Sequence, residues 1–184
     1  MDTHFILVNK EKWSINILIE YTDVIDISRQ FLEYALKKSS HFACHYYLSL
    51  EGTFDKKDRY PENYYYELLP DLYNEIKKGD SCFGAHGPNK YESIGVYNTT
   101  EKVKKFVLEQ NNKYPIMLED EDETPEEFYF FKNKRIWIII YHEDQIMHIF
   151  NCDEEDLAFL DKHNIEYFAE DFYIDVRLPK EKRK

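Results

Sequence analysis

The sequence contains three groups of residues whose types and spacing could support chemistry or binding. The first group lies in the glycine-containing segment from Gly79 to Gly95. The Cys82 thiol and the His86 imidazole could act as nucleophile and base, with the amides of Gly84 and Gly87 facing a developing oxyanion. Catalytic partners of this kind are usually distant in sequence, and Cys-x-x-x-His within one loop seldom gives catalytic geometry. We therefore assign no catalytic residue, and keep a small hydrolase or transferase built on this loop as an alternative.

A second group could offer ligands to a metal ion: His41, Cys44, His45, His142 and His148. The four-residue spacing of His41 and His45 would place them on one face of a helix, but the surrounding residues predict a strand. The sequence has no His-Glu-x-x-His, no Cys-x-x-Cys and no glycine-rich phosphate-binding turn. We therefore predict neither a metal site nor a cofactor.

The third group is a run of five adjacent carboxylates: Glu119, Asp120, Glu121, Asp122 and Glu123. Neighbouring like charges repel one another by about a few tenths of a kcal/mol per pair even when they are solvated. Such a run lowers the stability of the folded protein unless a basic surface or a cation neutralises the charges. The run is therefore a candidate docking patch for a basic protein, and the alternative is a solvated connection ahead of the next strand.

The net charge of −12 is concentrated in one third of the chain. Residues 119–175 contain 18 acidic and 4 basic side chains, whereas the remainder contains 18 acidic and 20 basic ones. A negative field of this kind repels nucleic acid and anionic membranes and attracts basic partners, although it also favours solubility. Carboxylates at 153–156 could equally be the ordinary start of a helix. The predicted docking surface joins the run at 119–123 to five further residues: Asp153, Glu154, Glu155, Tyr64 and Tyr65.

The elements that would position these residues are clearest between Phe128 and Phe150. Three β-branched and aromatic runs are separated there by polar breaks at 132–134 and 143–144, which predicts an antiparallel meander. The middle run at 136–141 has no polar position, so we expect a central strand covered on both faces. Elsewhere we predict strands at 4–8, 13–20, 41–50, 94–97, 114–118, 165–168 and 172–178, and helices at 22–38, 61–69, 71–78, 99–111 and 153–164.

The irregular order of strands and helices predicts the α+β class. We expect a single globular domain over residues 1–179, with a large, mostly antiparallel sheet (its meander at about 127–150) packed with three to four helices. A short basic tail follows at 180–184. The sequence has no signal-peptide core, and its longest apolar run is far below the roughly 20 residues that span a bilayer. Three cysteines form an odd, sparse set, so we predict a cytoplasmic protein with reduced thiols.

A small acidic domain that is rich in tyrosine and carboxylate and has no cofactor motif resembles the inhibitor and immunity proteins that block toxins. Many proteins of that class are acidic because their targets are basic nucleases. The resemblance implies a protein-binding module, not an enzyme, that neutralises a basic toxin or nuclease. A regulatory module, such as a phage-encoded one, that binds a peptide or a small ligand is a further alternative to the enzyme named above.

Overall fold

A computed structural model of the chain describes residues 3–8, 19–20, 24–47, 68, 70–76, 92–113, 127–141, 146–165, 167 and 177–181. Three α-helices lie within these residues: α1 (Val24–Lys38), α2 (Glu101–Lys113) and α3 (Glu154–Lys162). The same residues contain eight strands: β1 (Thr3–Val8), β2 (Ile19–Glu20), β3 (His41–Tyr47), β4 (Leu72–Ile76), β5 (Glu92–Asn98), β6 (Glu127–Lys132), β7 (Arg135–Tyr141) and β8 (Ile146–Ile149). No helix among the described residues combines the length and the apolar composition needed to cross a lipid bilayer.

The eight strands form one sheet in the order β2-β1-β8-β7-β6-β3-β5-β4. Neighbouring strands are antiparallel except for β1 and β8, which run parallel with Phe5 opposite Ile146. The strands β6, β7 and β8 are the predicted meander, and β7 lies in the interior of the sheet. This is the α+β architecture with a large, mostly antiparallel sheet that the sequence predicts.

The two faces of the sheet bury two separate apolar clusters because successive side chains of a strand point to opposite sides. On the helix face, Phe42, Phe128 and Ile138 pack with residues of all three helices, such as Leu36 and Val107. The far face carries a second cluster with members on β3, β4, β5, β6 and β7: Ala43, Ile76, Ile94, Val96, Tyr129, Phe131, Ile136 and Ile139. Residues 136–140 are therefore all buried, as expected for a central strand covered on both faces.

Local signals in the sequence correctly predicted several element ends. The turn between β6 and β7 places Asn133 and Lys134 at φ 54° and 62°, the left-handed geometry of a two-residue hairpin turn. Thr100 precedes α2, and its Oγ1 accepts a hydrogen bond from the Val103 amide at 3.3 Å. Asn164, the last residue of the predicted helix at 153–164, lies just after α3 at φ 52°, a left-handed conformation that asparagine tolerates.

The predicted helix at 71–78 is wrong, because Leu72–Ile76 is strand β4. Leu72 and Ile76 are spaced four apart, which suits a helix, but pairing with β5 lets Ile76 join the far-face cluster. A β-bulge between Leu72 and Asn74 accommodates the uneven pattern. Residues 68, 70 and 71 are in 3₁₀ conformation, and the rest of the predicted helix at 61–69 lies outside the described residues.

Strand β5 starts earlier than the predicted 94–97, since Glu92 and Ser93 already belong to it. Gly95 makes room for a neighbouring ring within the strand: a Cβ added there would come within 3 Å of the buried Tyr97 ring on the same face. Residues 165 and 167 are not in a strand, and Arg177 forms only an isolated bridge with Arg135. The predicted strands at 13–18, 114–118 and 172–176 lie outside the described residues.

Candidate functional site

The start of α3 holds the three described residues of the predicted docking surface: Asp153, Glu154 and Glu155. Asp153 is the N-cap: its Oδ1 accepts hydrogen bonds from the amides of Glu155 and Asp156 at 3.1 and 2.9 Å. In return, Asp156 Oδ2 accepts from the Asp153 amide at 3.0 Å, which completes a capping box. Local sequence alone explains this arrangement, because carboxylates in the first turn are favoured by the helix dipole.

Two lysines from other elements neutralise this helix start. Lys132 Nζ at the end of β6 lies 2.7 Å from Asp153 Oδ2, and Lys38 Nζ at the end of α1 lies 2.6 Å from Glu155 Oε2. Glu155 remains 71% exposed, so its pair with Lys38 is worth little. Glu154 is exposed. Of the three carboxylates that the sequence assigns to docking here, two therefore contact the protein's own lysines.

Asp156 is the buried centre of the arrangement, with no exposed surface. Its Oδ1 accepts from the Tyr34 hydroxyl at 2.5 Å, and its Oδ2 accepts from Trp137 Nε1 at 3.2 Å. Lys38 donates to the Tyr34 oxygen at 2.9 Å and lies 4.8 Å from the centroid of that ring. Lys132 Nζ lies 4.7 Å from the Trp137 ring in the same way. Together these hydrogen bonds and cation–ring contacts connect α1 and α3 to the helix face of the sheet.

The network shifts the pKa values of two of its side chains, Asp153 and Tyr34. Burial raises the pKa of Asp153, but hydrogen bonds from Lys132 and the Asp156 amide, with the charges of both lysines, outweigh it and lower the value to about 2. Burial, the hydrogen bond to Asp156 and the nearby carboxylates raise the pKa of Tyr34, so its hydroxyl stays a donor. Sequence reasoning missed Tyr34, Lys38, Lys132 and Trp137. The signal available in the sequence was Trp137 within a predicted strand, because the indole N–H needs a hydrogen-bond acceptor when it is buried.

The other predicted patch residues and the predicted catalytic pair lie outside the described residues: Glu119, Asp120, Glu121, Asp122, Glu123, Tyr64, Tyr65, Cys82 and His86. Their connections to the sheet are nevertheless fixed by the described strands. The segment with Cys82 and His86 joins Ile76 to Glu92, and the acidic run leads into Glu127. The registers place Ile76, Glu92 and Glu127 at the same end of the sheet.

The part of that end where β2 and β7 finish and β1, β6 and β8 begin is here called the acidic end, whereas Lys77, Lys78 and Lys90 lie within three positions of the β4 and β5 strand ends at the same edge of the sheet. Four paired positions of neighbouring strands define the acidic end: Thr3 with Glu20, Phe5 with Ile146, Ile146 with Tyr141, and Tyr141 with Glu127. Within three positions of these five strand ends, the sequence has no lysine or arginine and seven carboxylates: Asp2, Glu20, Asp23, Glu126, Glu127, Glu143 and Asp144. Three residues span at most about 11 Å, which is the upper limit for the distance along the chain from each of these positions to its strand end.

Asp153 lies at the end of β6 opposite to the acidic end. Asp153 binds Lys132, the last residue of β6, whereas the acidic run precedes Glu127, the first residue. A six-residue strand is about 17 Å long. Asp153 and Glu155 therefore lie apart from the acidic end.

The candidate metal ligands are also separated. Cys44 lies in the helix-face cluster, whereas the His148 ring stacks on Phe150 of the far face at 5.7 Å and meets the Tyr141 ring edge at 5.2 Å. Burial lowers the pKa of His148 to about 4 and also lowers that of His41. Among the described residues, no three His, Cys, Asp or Glu side chains are grouped so as to hold a metal ion. His142 and the His45 side chain lie outside the described part.

A groove of about 620 Å³ lies between α1 and α2. The charges on its walls are largely matched, so it has no strong preference for a cation or an anion. Three ion pairs account for this balance: Arg29 with Glu33 at 3.2 Å, Lys104 with Glu101 at 2.7 Å, and Lys105 with Glu109 at 3.6 Å.

Comparisons of the chain with protein-family models, with curated proteins and with solved structures found no match. Function is therefore inferred from the residues and their arrangement alone.

Proposed function

We propose that this protein is an acidic protein-binding module whose acidic end receives a basic partner. One observation carries the proposal: five adjacent strand ends bring six carboxylates besides the buried Glu127, and no lysine or arginine, within three positions in sequence. Like charges gathered in this way repel one another, and a basic surface relieves that repulsion when it binds.

The acidic run at 119–123 adds to this end because the chain limits its distance. Glu123 is four residues from Glu127 and Glu119 is eight, so they lie within about 14 and 29 Å of it at full extension. The combined field speeds encounter with a positive surface and weakens as salt shortens the screening length to about 8 Å.

The partner best suited to this charge is a basic toxin or nuclease, which would make the protein an inhibitor of the immunity type. Tyr64 and Tyr65 are the proposed aromatic anchors, because tyrosine supplies large contact area at protein interfaces. The proposed compartment is the cytoplasm. The free thiols of Cys44 and Cys152, both buried, suit a reducing environment.

The test uses the immobilised chain to capture its partner from an extract of the cells that make it, followed by mass spectrometry. A variant with Glu119–Glu123 changed to the matching amides is compared with a control that loses five exposed carboxylates elsewhere: Asp26, Glu33, Glu101, Glu109 and Glu181. The proposal expects a basic protein whose association rate falls by about tenfold in the first variant and by less than about twofold in the control.

A further measurement decides the inhibitor assignment. The captured protein is assayed for cleavage of RNA and DNA with and without the chain, and inhibition is expected at equimolar amounts. A captured partner that is acidic, or that binds equally well to both variants and at high salt, overturns the proposal. A basic partner without nuclease or toxin activity keeps the binding function and overturns the inhibitor assignment.

A further inference from the structure

The groove between α1 and α2 is bordered by two rows of charged side chains whose signs alternate. Residues four apart on a helix lie on the same face, so each row follows its own helix. The row on α1, here called the α1 row, is positive, negative, positive, and the row on α2, the α2 row, is negative, positive, negative. All members are exposed and line the groove: Arg29, Glu33 and Lys37 in the α1 row, and Glu101, Lys105 and Glu109 in the α2 row.

The two helices run in opposite directions along the sheet. α1 ends just before β3 and α2 begins just after β5, and these two strands pair with His41 opposite Asn98. Thr99 Oγ1 donates to the Ser39 carbonyl at 2.6 Å, which joins the end of α1 to the start of α2. The last member of the α1 row therefore lies at the same end of the groove as the first member of the α2 row.

In the described part of the chain, the members of the rows pair along each helix and not across the groove. Arg29 contacts Glu33 at 3.2 Å, and Lys105 contacts Glu109 at 3.6 Å. Lys37 contacts no carboxylate among the described residues. The groove of about 620 Å³ separates the two rows, so both present their alternating charges to an approaching molecule.

We propose that α1 and α2 form the contact surface for a second copy of this chain. A copy rotated by 180° about an axis parallel to the helices places its α1 row along the α2 row of the first copy, in the opposite direction. Every contact then joins opposite charges, and each occurs twice: Arg29 with Glu109, Glu33 with Lys105, and Lys37 with Glu101. Rotation about an axis across the helices would instead bring the two α1 rows together with like charges opposed, so the charges also fix the orientation.

A second copy is the occupant that the charge distribution favours. The net charge of −12 makes two copies repel one another in most orientations, whereas the two rows contain three positive and three negative side chains. Leu108, half-buried in the groove, would gain apolar cover. A face of two helices about 20 Å long and together about 20 Å wide buries about 800 Å² in a dimer, which places the contact among weak interfaces. The proposal does not depend on the acidic end or on its partner.

The test measures the mass of the full chain by sedimentation equilibrium at concentrations up to about 1 mM, because small interfaces bind weakly. Two variants each exchange the signs of one row. The α1 swap is Arg29→Glu, Glu33→Lys and Lys37→Glu. The α2 swap is Glu101→Lys, Lys105→Glu and Glu109→Lys. Either swap alone keeps the ion pair within its helix in reversed order but opposes like charges between copies, so dimerisation should weaken by about tenfold or more.

Complementarity returns when both rows are exchanged. An equimolar mixture of the two swapped chains, and a chain that carries both swaps, should therefore dimerise about as well as wild type. The control exchanges the signs of three exposed residues of α3 and should also behave as wild type does: Glu154→Lys, Asp161→Lys and Lys162→Glu.

A second readout needs no substitution, so it covers a swapped chain that fails to fold. When the wild-type chain is diluted, the NMR resonances of the backbone amides in both rows should shift, and those of Glu154 and Asp161 should not. A wild-type chain that stays monomeric, or whose shifts map outside α1 and α2, overturns the proposal. Dimerisation that survives either swap alone, or that does not return in the mixture of folded swapped chains, also overturns it.

Discussion

The indole of Trp137 on β7 donates its Nε1 hydrogen to Oδ2 of Asp156 on α3 at 3.2 Å, inside the protein. The same carboxylate accepts from the Tyr34 hydroxyl and the Asp153 amide. This buried carboxylate, with donors on β7, on α1 and at the N-cap of its own helix, is a polar link between the helices and the sheet in the described part of the chain.

Replacing Asp156 with alanine should therefore be strongly destabilising, because it leaves buried donors on Trp137 and Tyr34 without their acceptor. We expect a loss of about 3 kcal/mol in the free energy of unfolding, measured by urea denaturation. Glu154→Ala, two positions earlier on the exposed side of the same helix, should cost no more than about 0.5 kcal/mol. Equal losses in the two variants would show that the network contributes nothing beyond the helix start.

Acid should weaken the contact between Asp153 and Lys132. The folded state lowers the pKa of Asp153 from its ordinary 3.8 to about 2, so the unfolded chain binds a proton first as the pH falls. The contribution of Asp153 is complete above about pH 4 and disappears towards pH 2. Asp153→Asn keeps a good N-cap but does not titrate, so its stability should fall less steeply over this interval. Parallel denaturation curves of wild type and variant from pH 4 to pH 2 would contradict this assignment.

His148 should make the free energy of unfolding depend on pH between about 4 and 6.5, above the range in which Asp153 acts. Its folded pKa of about 4 lies below the ordinary 6.5, so between these values the unfolded chain binds a proton that the folded chain does not. Stability should therefore fall as the pH is lowered from about 6.5 to 4, by an amount on the order of 2 kcal/mol. The His148→Phe variant should lose most of this slope, and the His148 resonance in wild type should titrate below pH 5 by NMR. A resonance that titrates near 6.5 would refute the prediction.

Gly95→Ala should be destabilising by about 1–3 kcal/mol, since the new methyl group meets the fully buried Tyr97 ring, which has no room to move. Combining it with Tyr97→Leu should recover part of the loss, because the shorter side chain leaves the space above residue 95 empty. The double-mutant cycle measures this coupling through the free energy of unfolding. Strict additivity of the two changes would show that the glycine is not required by the ring.

Elements with strong local signals were predictable from the sequence. The meander follows from the apolar composition of 136–140 and the polar break at 132–134, and α3 follows from Asp153 and the carboxylates after it. These features depend on neighbours in sequence, so no knowledge of the fold is needed to recognise them.

Features that depend on distant neighbours were not predictable. The sequence pattern of Leu72–Ile76 is compatible with a helix, and it forms a strand because it pairs with β5. The pair of Asp153 with Lys132 was not predictable either, because Lys132 comes 21 positions earlier and is brought close by the meander and the turn after β8. The bridge of Arg135 with Arg177 likewise joins segments that sequence periodicity cannot relate.

The parallel contact between β1 and β8 also has a consequence for the order of folding. Phe5 pairs with Ile146, which lies 141 positions later, so β1 cannot complete this pairing until Ile146 has been synthesised. Closing so long a loop is slow, and contacts of high sequence separation lengthen folding times. The meander can assemble from its own hairpins first, and the amino-terminal strand then docks on a preformed edge as one of the last steps.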